Sequence, residues 1–385
     1  MITLELVFWI SMFLVAYTYT VYPAIVFLAT RITKRRETVE PVSLPSVTLV
    51  VSVFNEARVL PIKLQNIRAL DYPLDKLTML FGSDGSTDET DAILAGAFIP
   101  GFRYVQFPRR RGKASVVNDL VASASGEIVV FSDANTMFRP DTIRKLVRHF
   151  GDPTIGAVSG ELRIDEHPDT VTGIGETSYW NYENLLKQME SEVDSIIGAT
   201  GGVYAIRRSL YEALPTNKAV TDDFLIPLRA LMRGYRTHYD REALAFERGE
   251  GSIGSEFRRK VRIGAQNFNT IGEIGRLLHP RYGFRAFALW SHKIIRWCVP
   301  FLLVAVFASV CCLVPYSQPF HYVLGAIGVF VGVAGIGYVL EKLNVRSGLI
   351  TFPYYFLAMN AALFFGFLRF AFRRQGPTWR VDRKP

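Results

Sequence analysis

Apolar and polar positions alternate along the chain in two different rhythms, and the change between them divides it. Between residues 45 and 275, short apolar runs alternate with segments of helical spacing. Val47–Val53, Leu77–Phe81, Tyr104–Phe107 and Ile128–Ser132 are near-continuous apolar stretches, the pattern of strands buried on both faces. Between them, Leu60, Leu64 and Ile67, and then Val116, Val117, Leu120 and Val121, recur at helical spacing. A third set, Ile143, Leu146, Val147 and Phe150, follows Pro140 and Asp141. Ser86 and Glu89 have the spacing of a capping box that starts a further helix. Strands and helices in this alternation predict an α/β domain with a mostly parallel sheet and right-handed crossovers. After Phe150 the pattern loosens. Ile155–Ile164 reads as a strand, Tyr179–Glu192 as a helix, Gly198–Gly202 as a glycine-rich turn, Leu225–Met232 as an apolar helix and Glu256–Ile271 as a basic helix.

Outside this domain the runs are too long for strands. From Leu4 to Ala29 only Glu5 is charged, enough to cross a bilayer about 30 Å thick. Residues 1–31 therefore read as a retained N-terminal anchor. Arg31, Lys34, Arg35 and Arg36 follow at once and place the next segment on the cytoplasmic side. Trp297–Val314, Phe320–Leu340 and Phe352–Phe372 make a C-terminal membrane region over 297–372. Ahead of it, 280–297 mixes Phe287, Leu289 and Trp290 with Arg285, His292, Lys293 and Arg296, as an interfacial amphipathic helix does. A basic tail occupies 373–385. Three full C-terminal spans would put that tail outside, against the positive-inside rule, so one of the runs is expected to be re-entrant or interfacial.

Composition supports this division. Mean hydropathy is +0.18, with 49% hydrophobic residues, too apolar for a purely soluble enzyme of 385 residues. The net charge of +9 clusters beside apolar segments, which points to lipid headgroups and phosphate ligands rather than nucleic acid. Cys298, Cys311 and Cys312 all fall in or beside one apolar run and supply neither a disulfide framework nor a metal cage.

The chemistry-bearing residues sit where predicted strands end, the usual ligand edge of an open α/β sheet. Asp84, beside Gly85, is placed to accept from a ribose or base, or to close an Asx turn. Asp133 and Asn135 offer two oxygens to a divalent cation whose other positions would go to water and diphosphate. Arg109–Lys113 supplies cations and a glycine to a loop. Asp222 and Asp223 precede an apolar helix, where one carboxylate caps and the other serves as general base. Arg259 and Arg262 share a helix face and suit phosphates or headgroups.

In this order the motifs resemble the membrane-bound family 2 glycosyltransferases, over about Pro45 to Gln266. Val53-Phe54-Asn55-Glu56 is similar to the family's first nucleotide-binding motif, and Ser83-Asp84-Gly85-Ser86-Thr87-Asp88 to its D-D-G-S-x-D, with serine for the first carboxylate. Gly112-Lys113 resembles its G-K, Asp133-Ala134-Asn135 its D-x-D, Thr221-Asp222-Asp223 its E-D pair, and Arg259 to Ile263 its Q-x-x-R-W. The resemblance implies a GT-A, Rossmann-like catalytic domain with one N-terminal and about three C-terminal transmembrane helices. It implies an inverting transfer from a UDP-sugar to a lipid-linked or polysaccharide acceptor, at the cell (inner) membrane in a multi-pass protein whose catalytic domain is cytoplasmic. Asp223 is then the base, with Asp222 beside it. Val53, Asn55, Glu56, Asp84, Lys113, Asp133, Arg259 and Arg262 bind the donor, Gly201 and Gly202 face the acceptor, and Asp133 and Asn135 hold Mg²⁺ or Mn²⁺. Ile263, standing where synthases carry tryptophan, favours single addition over a processive synthase. Asn135 and Ile263 together motivate a third reading, a non-catalytic sugar-nucleotide-binding protein, against which the Asp222-Asp223 pair argues.

Overall fold

The computed structural model describes residues 1–34, 37–165, 171–248, 253–343 and 348–376. Arg35 and Arg36 of the basic cluster, and the tail beyond 376 with Arg380, Arg383 and Lys384, lie outside the described residues.

Among the described residues eight strands form one sheet: β1 (Val47–Val53), β2 (Leu77–Asp84), β3 (Phe102–Phe107), β4 (Ile128–Ser132), β5 (Met137–Phe138), β6 (Ile155–Asp165), β7 (Tyr204–Arg207) and β8 (Arg236–Arg248). Their spatial order is β3-β2-β1-β4-β7-β6-β8-β5. β3, β2, β1 and β4 are mutually parallel, as the alternating pattern predicts. β7 inserts antiparallel beside β4 and β6, while β6 and β8 pair in parallel through two register shifts. Strand side chains divide between two cores. Leu49, Val51, Ile128 and Val130 pack under the helices Leu60–Arg68 and Thr142–Val147, while Val50, Val129 and Phe131 face Lys113–Ala122 and Asp222–Met232. Both faces are thus covered, which is why these strands are apolar without alternation.

Three local expectations are corrected. The Ser86–Glu89 capping box does not form: the helix begins at Thr90 without a side-chain cap on its N-cap residue, and Asp88 instead accepts the amides of Ala57 and Thr90 at 3.1 and 3.0 Å. Ser86 is drawn to Ser83 and the amide of Asn55. Neither Asp222 nor Asp223 is the N-cap, a place held by Thr221; both lie inside the first turn. β8 was not expected, because Arg236–Arg241 is polar and hides the strand period.

Among the described residues four helices are long and apolar enough to cross a membrane: Ile2–Ile32, Phe284–Leu313, Pro319–Lys342 and Ile350–Ala371. Residues 284–297 are no separate element but the first half of the second of these. Their polar side chains are spent on protein partners: Arg285 on Asp194 at 2.9 Å, His292 on Glu190 at 2.6 Å, and Lys293 and Arg296 on Glu183 at 2.6 and 2.8 Å. Tyr22 of the N-terminal helix also donates to Glu190, at 2.7 Å. This buried ionic knot ties two of the apolar helices to the helix Val171–Val193 under the sheet.

Candidate active site

The carboxyl ends of β1, β2 and β4 open into a cavity of about 680 Å³. Its walls also include the helix Val171–Val193, the first turn of Asp222–Met232 and the basic helix Ile253–Ile274. Val53, Glu56, Asp84, Lys113, Asp133, Asn135, Gly201, Asp222, Asp223, Arg259 and Arg262 all line it. Residues scattered over two hundred positions therefore converge on one space.

Lys113 is the centre of the site. Its ammonium lies 2.9 Å from Asp133 and 3.1 Å from Asp222, so one cation joins the β4 end to the Asp222–Met232 helix. Burial alone would lower the lysine, but Asp133 and Asp222 hold it above the ordinary value. Asp223 sits beside this pair. Burial and the Asp222 charge push its carboxyl up to about 7, in the range where a general base gives and takes a proton near neutrality. The turn 198–202 closes against it, with the amide of Ala199 donating to the Asp223 carbonyl at 2.8 Å. A side chain at Gly201 would stand 2.7 Å from Asp223 Oδ2.

Two expected residues take other roles. Asn55 does not line the cavity: in the left-handed region at φ 53°, it accepts from the amide of Thr87 at 2.8 Å and so ties the β1 end to the β2 end. Gly202, at φ 81°, packs against Thr136 behind the cavity wall. Asp84 lines the cavity, and its two oxygens accept the amides of Arg111 and Gly112 at 2.7 and 2.8 Å. It therefore anchors the basic loop, whose Arg110 guanidinium covers the Phe54 ring at 3.7 Å. A carboxylate takes about four donors, so Asp84 retains room for a ribose hydroxyl.

Asp133 and Asn135 fit the oxygen set of a divalent cation. The Asn135 amide nitrogen donates to Glu247 of β8, which leaves its carbonyl oxygen as the metal-binding end. Among the described residues no three His, Cys, Asp or Glu side chains form a closed cage, so such a cation would be completed by phosphate oxygens and water.

Two buried lysines of the site went unread in the sequence. Lys63, fully buried on the helix Leu60–Arg68, donates to Ser132 Oγ at 2.7 Å and to the Thr136 carbonyl at 2.5 Å, bracketing Asp133–Asn135. Burial lowers it to about 7. Lys187, buried in the cavity wall, donates to Thr200 Oγ1 at 2.8 Å and braces the 198–202 turn; burial lowers it to about 8. A lysine amid apolar helical positions is the only clue to either.

Residues 48–214 match the profile described as Glycosyl transferase family 2. Over that segment, less than half of the chain, it is similar to the family 2 glycosyltransferases. It is 27% identical to an N-acetylglucosaminyltransferase of Sinorhizobium fredii over 58% of this chain and 58% of that protein. It is 25% identical to a poly-beta-1,6-N-acetyl-D-glucosamine synthase of Staphylococcus aureus over 57% of this chain and 54% of that protein. The chain thus spans little more than half the length of these curated relatives. The solved structure of the mannosyltransferase PcManGT from Pyrobaculum calidifontis, in complex with GDP-Man and Mn²⁺, superposes with a TM-score of 0.73 at 23% identity, covering 96% of this chain and 100% of that one. The shared fold is GT-A, as the motif order implies. The segment matched, the fold and the relatives' names all point to glycosyl transfer.

Proposed function

We propose that this chain is a glycosyltransferase moving a sugar from a UDP-sugar to a hydroxyl of a membrane-associated acceptor, such as a lipid-linked glycan, with inversion at the anomeric carbon. The supporting observation is the Lys113 bridge, which sets Asp133 on the donor side within one ion pair of the Asp222-Asp223 turn. Asp223 takes the proton of the acceptor hydroxyl. The freed oxygen forms its bond to the anomeric carbon as the bond to the diphosphate breaks. Lys113, Arg259 and Arg262 receive the charge that develops on the leaving UDP. A Mg²⁺ or Mn²⁺ held by Asp133 and Asn135 would add Lewis-acid neutralisation of the same oxygens. The apolar helices hold the protein in the cell membrane with the domain on its cytoplasmic face.

The relatives' names favour a second reading, a processive synthase using an N-acetylglucosamine donor. Ile263, in the cavity wall at the position where the motif carries tryptophan, supports single addition. The test is UDP release by the purified protein in nanodiscs, with Mg²⁺ or Mn²⁺, from a donor panel led by UDP-N-acetylglucosamine and including GDP-mannose. Release from one donor that is lost in Asp223→Asn supports the reading. A product one sugar longer separates single addition from a ladder. Silence with every donor, even after membrane extract supplies acceptors, rejects it in favour of a binding protein.

A further inference from the structure

The cavity that holds Asp223 continues to the start of the helix Phe284–Leu313, where Glu183, Lys187, Lys293, Arg296 and Trp297 line it. Three of these are cations, and one carboxylate serves them. Glu183 Oε1 accepts from Lys293 at 2.6 Å and Glu183 Oε2 from Arg296 at 2.8 Å. Glu190 is hydrogen-bonded to His292 and Tyr22 instead, and counting it still leaves three cations against two carboxylates. Glu183, Lys187 and Arg296 are each less than a tenth exposed, so water does little to offset the surplus. The Arg296 guanidinium is also short of acceptors. Its Nη2 lies 3.5 Å from the Tyr182 hydroxyl, and its buried Nε has no partner among the described residues. An uncompensated buried charge with unmatched donors favours an anion. Two placements define that anion. Arg296 is the last charge before the uncharged run Trp297–Leu313, so Lys293 and Arg296 stand at the level of lipid phosphates. Lys187, one turn or about 6 Å along its helix from Glu183, donates to Thr200 of the turn that closes on Asp223. Lys113 approaches the Asp222-Asp223 turn from the β4 end, on the donor side. The Arg296 end is therefore left for a second phosphate, a short saccharide's length from Asp223.

We infer that Lys293 and Arg296 bind the phosphate of a lipid-borne acceptor and thereby set its sugar against Asp223. The inference rests on the transfer proposed above and names the acceptor's class, a lipid phosphate or diphosphate carrying a short saccharide. A bare lipid phosphate would hold its reacting oxygen at these cations, about a helical turn short of Asp223. A polysaccharide without phosphate would leave the positive surplus uncompensated. The Arg296 fork suits two phosphate oxygens at once, and Lys293 adds a point charge. Trp297 follows directly and packs on Phe224 and Phe268 at 5.6 and 6.0 Å, which gives this end of the cavity an apolar border where the lipid chain begins. The acceptor then reaches the site with its phosphate at headgroup level and its chain still in the bilayer.

The test uses the full-length chain in nanodiscs of neutral phosphatidylcholine, with radiolabelled farnesyl-diphosphate-N-acetylglucosamine as the probe and UDP binding read in parallel. Arg296→Gln and Lys293→Gln should each weaken probe binding roughly 10–100-fold, as loss of a charge-assisted hydrogen bond does, while UDP binding holds. Arg296→Lys should recover part of the loss. The phosphate-free farnesyl N-acetylglucosaminide should bind weakly, and equally in all four proteins. If Arg296→Gln fails to fold, Lys293→Gln decides, because it leaves the Arg296–Glu183 pair in place. Equal probe binding by wild type and the folded variants overturns the inference and makes the cluster a brace alone. So does a wild type that binds the probe no better than its phosphate-free counterpart. Displacement of the probe by phosphatidylglycerol in the disc would assign the cations to bulk headgroups and also overturn it. The underlying reading fails separately. Arg296-dependent binding without transfer from any UDP-sugar keeps the inference and rejects the reaction, whereas transfer with an unmoved KM for the probe in both variants does the reverse.

Discussion

Lys63 offers the sharpest test of how this site is held. Its ammonium is wholly buried, and its two acceptors flank the segment that presents Asp133 and Asn135. Burial lowers it from 10.5 to about 7. The unfolded chain therefore binds the proton more tightly, and stability rises with pH between these two values. At pH 7 the depressed lysine costs the fold about 4 kcal/mol, and at pH 9 about 2 kcal/mol. Lys63→Met removes that cost but strands two buried acceptors at roughly 1–3 kcal/mol each. Near pH 7 the two effects nearly cancel, so stability at one pH is uninformative. The slope is informative: from pH 7 to 9 wild type should gain about 2 kcal/mol over Lys63→Met, or about 4–8 °C in apparent melting temperature. Thermal unfolding of both proteins in the same detergent at pH 7, 8 and 9 measures this, and effects common to both cancel in the difference. UDP binding should weaken in the variant at every pH, because the Asp133–Asn135 loop loses its brace. A melting difference that stays flat, or moves in the variant's favour, refutes the reasoning.

Three further outcomes follow from the cavity. Because Asp223 acts deprotonated and is pushed up to about 7 by burial and Asp222, UDP release should rise with pH through that value, and Asp222→Asn should move the rise to lower pH; an unmoved limb contradicts the coupling. Gly201→Ala places a methyl 2.7 Å from Asp223 Oδ2, and turnover should fall roughly 10–100-fold with little change in melting, as a misplaced base requires; full activity would show that the turn yields. Glu247→Ala should weaken Mn²⁺ binding in the presence of UDP about tenfold or more, read by the free Mn²⁺ resonance, while Glu247→Gln, still an acceptor for the Asn135 amide, should retain most of it.

Much of this was legible in the chain itself. β1 and β4 end where their apolar runs end, because a strand covered on both faces must be continuously hydrophobic and its polar successor must leave the sheet. The candidate residues, placed at strand ends by pattern and in order by motif, nearly all reached one cavity, since parallel strands deliver their carboxyl ends to a common edge. Local signals failed where tertiary partners outbid them. Ser86 was taken by Ser83 and Asn55 instead of capping a helix. The polar face of residues 284–297 was consumed by Glu183 and Glu190, partners about a hundred residues away that no local period reveals. Lys63 and Lys187 are invisible in one dimension, because a buried lysine is distinguished only by what surrounds it. The last apolar run is the clearest division between the two levels. Its composition determines that it belongs with lipid, but whether it pierces the bilayer or lies along it depends on the depth of its neighbours, and depth exists only once the chain has folded.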